Sequence, residues 1–136
     1  MGDERVPFTF ASASVACERH PLRNEDTILT EKRSCLAAVF DGVGGSAAGE
    51  IASQTAARAT LQGWRRVRQQ LQKGYNARTL LKDCNKADVC VMLEQIIAEA
   101  DELVRTEGAE RAGTDDLATT VALATFCKDS TEQGYM

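Results

Sequence analysis

The order of elements along this chain predicts an α+β layered fold. Three observations carry that prediction: short apolar or alternating runs before residue 41, a long stretch of helical periodicity after it, and one further apolar run near residue 120. The order strand, strand, strand, helix, helix, strand is not the strict alternation of a parallel doubly wound sheet. Four strands and one helical pair leave part of the sheet without a covering layer, so a complete fold is expected to contain more chain.

The elements follow in turn. Thr9 to Cys17 alternates larger and small residues between Pro7 and the Glu18-Arg19-His20-Pro21 break, which predicts a buried strand. Thr27 to Thr30 is a second short strand, and Glu31-Lys32-Arg33 a polar turn. Cys35 to Phe40 is continuously apolar, as in a central strand covered on both faces, and Asp41 is expected where that strand ends. Gly42, Gly44 and Gly45 then read as a loop, with Ser46 placed to cap the helix that follows.

From Ala47 to about Gln72, residues Ala52, Ala56, Ala59, Trp64, Val67 and Leu71 recur at helical spacing. Lys73-Gly74-Tyr75-Asn76 breaks this helix. A second helical stretch, about 77–106 with an interruption near Asn85, presents Val89, Leu93, Ile96, Ile97, Ala100, Leu103 and Val104 on one face. The two helices should form an antiparallel pair on one side of the sheet. Gly108 to Asp116 reads as a loop, Thr119 to Cys127 as a last buried strand, and 128–136 as a polar tail.

Composition narrows the functional classes. At 136 residues and 43% hydrophobic, the chain suits one domain burying roughly two thirds of its unfolded-state surface. A formal net charge of -4 argues against a nucleic-acid partner, which needs a dense basic face. Arg65, Arg66, Arg68 and Lys73 read as a solvated helix face. No apolar run reaches membrane-spanning length, and the first seven residues lack the basic start and apolar core of a signal peptide, so a cytoplasmic, non-membrane protein is expected. The five cysteines form no CxxC pair and read as mostly buried, reduced thiols.

The chemistry concentrates in two segments, Asn24-Glu25-Asp26 and Asp41-Gly42-Val43-Gly44-Gly45. Acidic side chains at two chain breaks, one followed by glycines, can build an end of a site for hard cations, which take oxygen ligands and can clamp a phosphate while acidifying a bound water. Gly42 to Ala47 also matches the G-x-G-x-x-A of a dinucleotide-binding turn. There the chain should return to a strand ending in an acidic residue; here it stays helical through Trp64, and Asp41 sets a negative charge where a pyrophosphate would lie.

Taken together, Asn24-Glu25-Asp26, Val39-Phe40-Asp41-Gly42-Val43-Gly44-Gly45, Ala48-Gly49-Glu50, Ala52-Ser53 and Ala118-Thr119-Thr120-Val121 resemble the N-terminal half of the metal-dependent protein phosphatase 2C family, in the right order. The resemblance implies a partial, truncated αββα sandwich, antiparallel sheets flanked by an antiparallel helix pair, spanning 1–127. It implies serine/threonine phosphoprotein phosphatase chemistry with Mn2+ or Mg2+. It gives Asp41 the role of bridging two ions, the Gly42 carbonyl that of a ligand, and Glu25 and Asp26 service to the second ion directly or through water. Asp115, with Asp116 adjacent, is the match for a third-metal aspartate.

The chain also departs from the family pattern. Pro21 stands where many bacterial members carry a phosphate-gripping arginine, which leaves Arg19, His20 and Arg23 as phosphate-binding candidates. Val43 replaces a histidine found in some eukaryotic members, a bacterial-type feature. The Gly-Asp-Ser turn and later aspartates of the C-terminal half have no match, so the chain by itself is expected to be inactive, with association through exposed sheet. The alternative is a non-catalytic phosphatase-like module that binds a partner or phosphoprotein.

Overall fold

The computed structural model describes residues 8–45, 47–71 and 86–127, with Leu71 described by its backbone alone. Among these, strands β1 (Asp26–Glu31) and β2 (Leu36–Gly44) form a hairpin, helix α1 (Ala48–Leu71) follows, and α2 (Lys86–Leu103) runs through a π-helical turn (Val104–Gly108) into the short α3 (Ala109–Ala112). Strands β3 (Leu117–Thr119) and β4 (Ala122–Thr125) close the sheet. The fold is α+β with an antiparallel sheet, as the element order predicts. Ser46, the turn at Lys73 to Asn76, the helix start at 77–85, Cys84 and the tail 128–136 lie outside the described residues.

Strand β2 is central. It pairs antiparallel with β1 along one edge, Asp26 opposite Asp41 and Glu31 opposite Leu36. Along its other edge it pairs with β4 and then β3. Thr119 faces Gly42 and Ala122 faces Val39, so the register is unbroken across Thr120 and Val121, and β3 and β4 act as one interrupted strand.

Two expectations about β2 need correction. The strand does not stop at Asp41; Gly42 and Gly44 are within it, because β3 supplies a ladder partner as far as Gly44. Nor is it covered on both faces. Leu36, Ala38, Phe40 and Gly42 are buried, while Val39 and Val43 on the opposite face are 49% and 57% exposed. A continuous apolar run cannot distinguish one covered face from two, and both helices lie on the same side.

Residues 8–17 form no strand, contrary to the sequence expectation. The segment crosses the outer face of the sheet: Phe8 stacks on Phe126 at 4.2 Å, Phe10 to Ala13 border a cavity with Ile28 and Ala124, and Ser14 accepts a hydrogen bond from Asn24. Side-chain alternation was present, but no neighbouring strand offers it a ladder.

Helix α1 lies on β1, β2 and β3, and α2 packs chiefly on α1. Cross-helix ion pairs Arg58–Glu107 and Arg66–Glu99 run in opposite chain order, which fixes the antiparallel arrangement. Gly63 permits the close approach, since a Cβ there would meet Ile96 Cγ2 at 3.2 Å. Trp64, Val67, Met92 and Ile96 pack with Leu36 and Cys127 at one end of the core, and Phe40, Ala52, Ala56 and Val104 pack at the other. Leu29 and Leu123 touch both clusters.

Three further readings change. Arg68 is not on a solvated face; it is buried, with its guanidinium 5.5 Å from the centre of the Trp64 ring. Arg65 and Arg66 are exposed and ion-paired with Glu31 and Glu99. Gly108 does not open a loop: the π turn carries the helix past it, and Gly113, at φ 70°, ends the helix by donating its N–H to Ala109. Of the described cysteines, Cys35 and Cys127 are buried, but Cys17 and Cys90 are exposed.

Candidate functional site

The acidic corner is built where β1 begins. Asn24 Oδ1 accepts the Asp26 N–H at 3.0 Å, an Asx turn that aims the chain into the strand, while its Nδ2 donates to Ser14 at 2.6 Å. Upstream, His20 N–H donates to the Cys17 carbonyl and Arg23 N–H to the His20 carbonyl, so two successive turns fold residues 17–23 against the same corner.

Directly across the ladder, Asp41 faces Asp26. The Asp41 carbonyl is held from β3, accepting the Thr120 N–H at 2.9 Å and the Thr119 hydroxyl at 3.0 Å. Its side chain is on the outer, exposed face of β2. The Gly42 N–H donates to the Glu25 carbonyl at 3.1 Å; in an antiparallel ladder a residue's N–H and C=O point the same way, so the Gly42 carbonyl faces the β1 side as well.

Glycines make this convergence possible. A Cβ on Gly42 would stand 2.0 Å from the Gly49 carbonyl oxygen and 2.6 Å from that of Glu25, and a Cβ on Gly49 would stand 3.0 Å from the Glu25 carboxylate carbon. Glu25 therefore lies against the first turn of α1, where the helix dipole favours negative charge. Its other partner is Arg23, at 2.8 Å.

Asp26 bears the electrostatic consequence. Desolvation raises its pKa above the ordinary aspartate value, and the charge of Asp41, a hydrogen bond with the Asp41 carboxylate and the charge of Glu25 push the same way. Two carboxylates facing each other in this manner form an arrangement that a cation relieves.

Asp26, Asp41, Glu25, Gly42, His20 and Arg23 all border one cavity of about 380 Å³. Arg19 is exposed and does not border it, and Asp115 lines a different cleft, between α2 and β3. Among the described residues no group of three or more His, Cys, Asp and Glu side chains is placed to hold a metal ion. The pair that does meet, Asp26 and Asp41, fits one part of a Mg2+-type site, since such ions keep several waters and use one or two carboxylates. Sequence reading assigned no role to Asn24, Cys17 or the Thr119 hydroxyl. The Asn-x-Asp pattern of an Asx turn could have identified the first; the other two reach the corner through the turns and the β2–β3 ladder.

The described residues form an α+β chain, an antiparallel sheet with a helical pair on one face and two carboxylates opposed across the β1–β2 ladder. The family model for protein phosphatase 2C matches residues 15–135, and the chain belongs to that family. Among solved structures it is similar to the serine/threonine phosphatase PstP/Ppp of Mycobacterium tuberculosis, with a TM-score of 0.55 and 23% identity over 78% of this chain. The match spans 37% of that phosphatase, and at this identity it concerns the fold. No curated protein matches the chain.

Proposed function

We propose that this chain is the N-terminal portion of a metal-dependent protein serine/threonine phosphatase acting on phosphoserine and phosphothreonine monoesters, and that it is inactive by itself. The single observation that carries the reading is the direct opposition of Asp26 and Asp41 beside Gly42, in a chain of the phosphatase 2C family. Mn2+ or Mg2+, when bound, would supply an acidified water for attack on phosphorus and charge to offset the phosphate. The chain's own residues have separable tasks. Asp26 and Asp41 would hold the cation, with Asp41 fixed from behind by Thr119 and Thr120.

Glu25 is set back against α1 and orients Arg23 at the cavity rim, where the guanidinium is available to a phosphate only by sharing Glu25. His20 borders the same space as a further polar contact. Asp115 would serve a third metal only after movement out of the neighbouring cleft. Two facing carboxylates offset little of the charge of two dications, which is why activity is assigned to a larger assembly of ligands and not to this chain. The proposed partner is a phosphoprotein in the cytoplasm; among the described residues no helix is long and apolar enough to cross a membrane.

A second reading, a non-catalytic phosphatase-like binding module, draws on Arg23 being engaged by Glu25 and on Pro21 beside it. Titration with Mn2+ separates the two. Paramagnetic broadening of the amide signals of Glu25, Asp26, Asp41 and Gly42, lost in Asp41→Ala, is the expected result; a spectrum indifferent to Mn2+ would remove the metal-dependent reading. Turnover of an aryl phosphate by the chain, abolished in Asp41→Ala, would refute its inactivity.

A further inference from the structure

The cleft between α2 and β3 is separate from the acidic corner. Its volume is about 500 Å³, within the roughly 300–1,000 Å³ of small-molecule pockets. Phe40, Ala56, Ala100 and Val104, all buried, form its floor. At the mouth stand three exposed charges, Asp101, Arg105 and Asp115.

Those charges are not equivalent. Asp101 and Arg105, one turn apart, are joined at 2.8 Å and neutralise each other. The Asp115 carboxylate makes no hydrogen bond or ion pair with any described residue. The mouth therefore carries one uncompensated negative charge over an apolar floor. The wall beside it is the π-helical turn, and turns of this kind recur at functional sites. One free carboxylate above alkyl and aromatic side chains offers too few oxygens to hold a divalent ion, which takes about six. An anion would meet Asp115 with Arg105 already engaged.

We propose that this cleft binds a small organic cation, its apolar body seated on Phe40, Ala56, Ala100 and Val104 and its positive charge against Asp115. This inference does not depend on the phosphatase reading, and its test does not use catalysis. Amide spectra of the full 136-residue chain are recorded during titration with 4-phenylbutylamine, protonated at neutral pH, and separately with 4-phenylbutyrate. The expected result is saturable shifts at Ala100 to Arg105 and Leu117 to Thr119 with the amine and none with the acid. Asp115→Asn, an exposed and conservative change, should weaken amine binding about fivefold, the factor that ~1 kcal/mol represents. Asp115→Lys should transfer the preference to the acid. Absence of saturable shifts, equal binding of amine and acid, or an affinity unchanged in Asp115→Asn would overturn the proposal. Displacement of the amine by Mg2+ would give Asp115 to a metal instead, and would overturn it equally.

Discussion

Asp26 and Asp41 are direct partners across the β1–β2 ladder, and the Asp41 charge helps to push the Asp26 pKa up. Like charges placed opposite one another in a sheet are destabilising, by the same ~0.2–1 kcal/mol that favourable cross-strand pairs contribute. Replacing Asp26 by Asn should therefore stabilise the chain by a few tenths of a kcal/mol, about 0.2–1 at most, at neutral pH without added metal. On the proposed metal-dependent reading, Mn2+ should raise the melting temperature, and Asp26→Asn should diminish that rise. Thermal melts with and without MnCl2 test both; a loss of stability in Asp26→Asn would contradict the repulsive pairing.

The same pair sets a pH dependence. A carboxyl whose pKa is raised on folding favours the folded state while protonated, so its contribution is complete below the ordinary value of 3.8 and is lost as pH rises through the raised folded value. Stability should thus contain a component that declines as pH rises above 3.8 and through the raised folded value, and Asp26→Asn should flatten it. Urea denaturation at a series of pH values reads the slope.

Gly42 and Gly45 differ in what surrounds them, though the sequence presents them alike. A methyl group on Gly42 meets backbone at 2.0 Å, whereas on Gly45 it meets nothing within 4 Å. Gly42→Ala should cost about 1–3 kcal/mol or more, as overpacking does, and should separate Glu25 from α1. Gly45→Ala should fall within about 0.5 kcal/mol of the parent. Paired urea curves check the contrast.

Ser34, buried in the hairpin turn, accepts the Trp64 indole N–H at 3.0 Å. Ser34→Ala leaves that donor buried without its acceptor, a loss of about 1–3 kcal/mol. Trp64→Phe in the Ser34→Ala background should cost less than the two single changes together, because both remove the same bond. Additive losses would show that the bond contributes little.

Cysteine reactivity should divide by burial. Cys17 and Cys90 are exposed, while Cys35 and Cys127 are buried and burial pushes the Cys35 thiol pKa up. Iodoacetamide followed by peptide mapping should label the first two quickly and the second two only in urea.

Much of this architecture was legible because it is local. Trp64, Val67 and Ala56 repeat at helical spacing, and that periodicity survives in α1 almost to its ends. Residues Thr27 to Thr30 and the apolar run ending at Phe40 alternate or cluster as strands do, and both became strands. The failures share a cause. Thr9 to Cys17 has strand-like alternation but no ladder partner, Val39 and Val43 have strand character but no covering layer, and Arg68 reads as surface until the fold buries it against Trp64.

The sequence alone determined the α+β class, the family resemblance carried by Asn24 to Asp26 and Asp41 to Gly45, and the candidate acidic residues, because side-chain periodicity and short motifs are properties of neighbouring positions. Tertiary structure decided which of those residues meet. The antiparallel register sets Asp26 against Asp41, the Gly42–Gly49 approach draws Glu25 onto α1, and the path after the π turn leaves Asp115 in another cleft. Register, close backbone approach and loop course depend on contacts between segments far apart in the chain, and no local pattern encodes them.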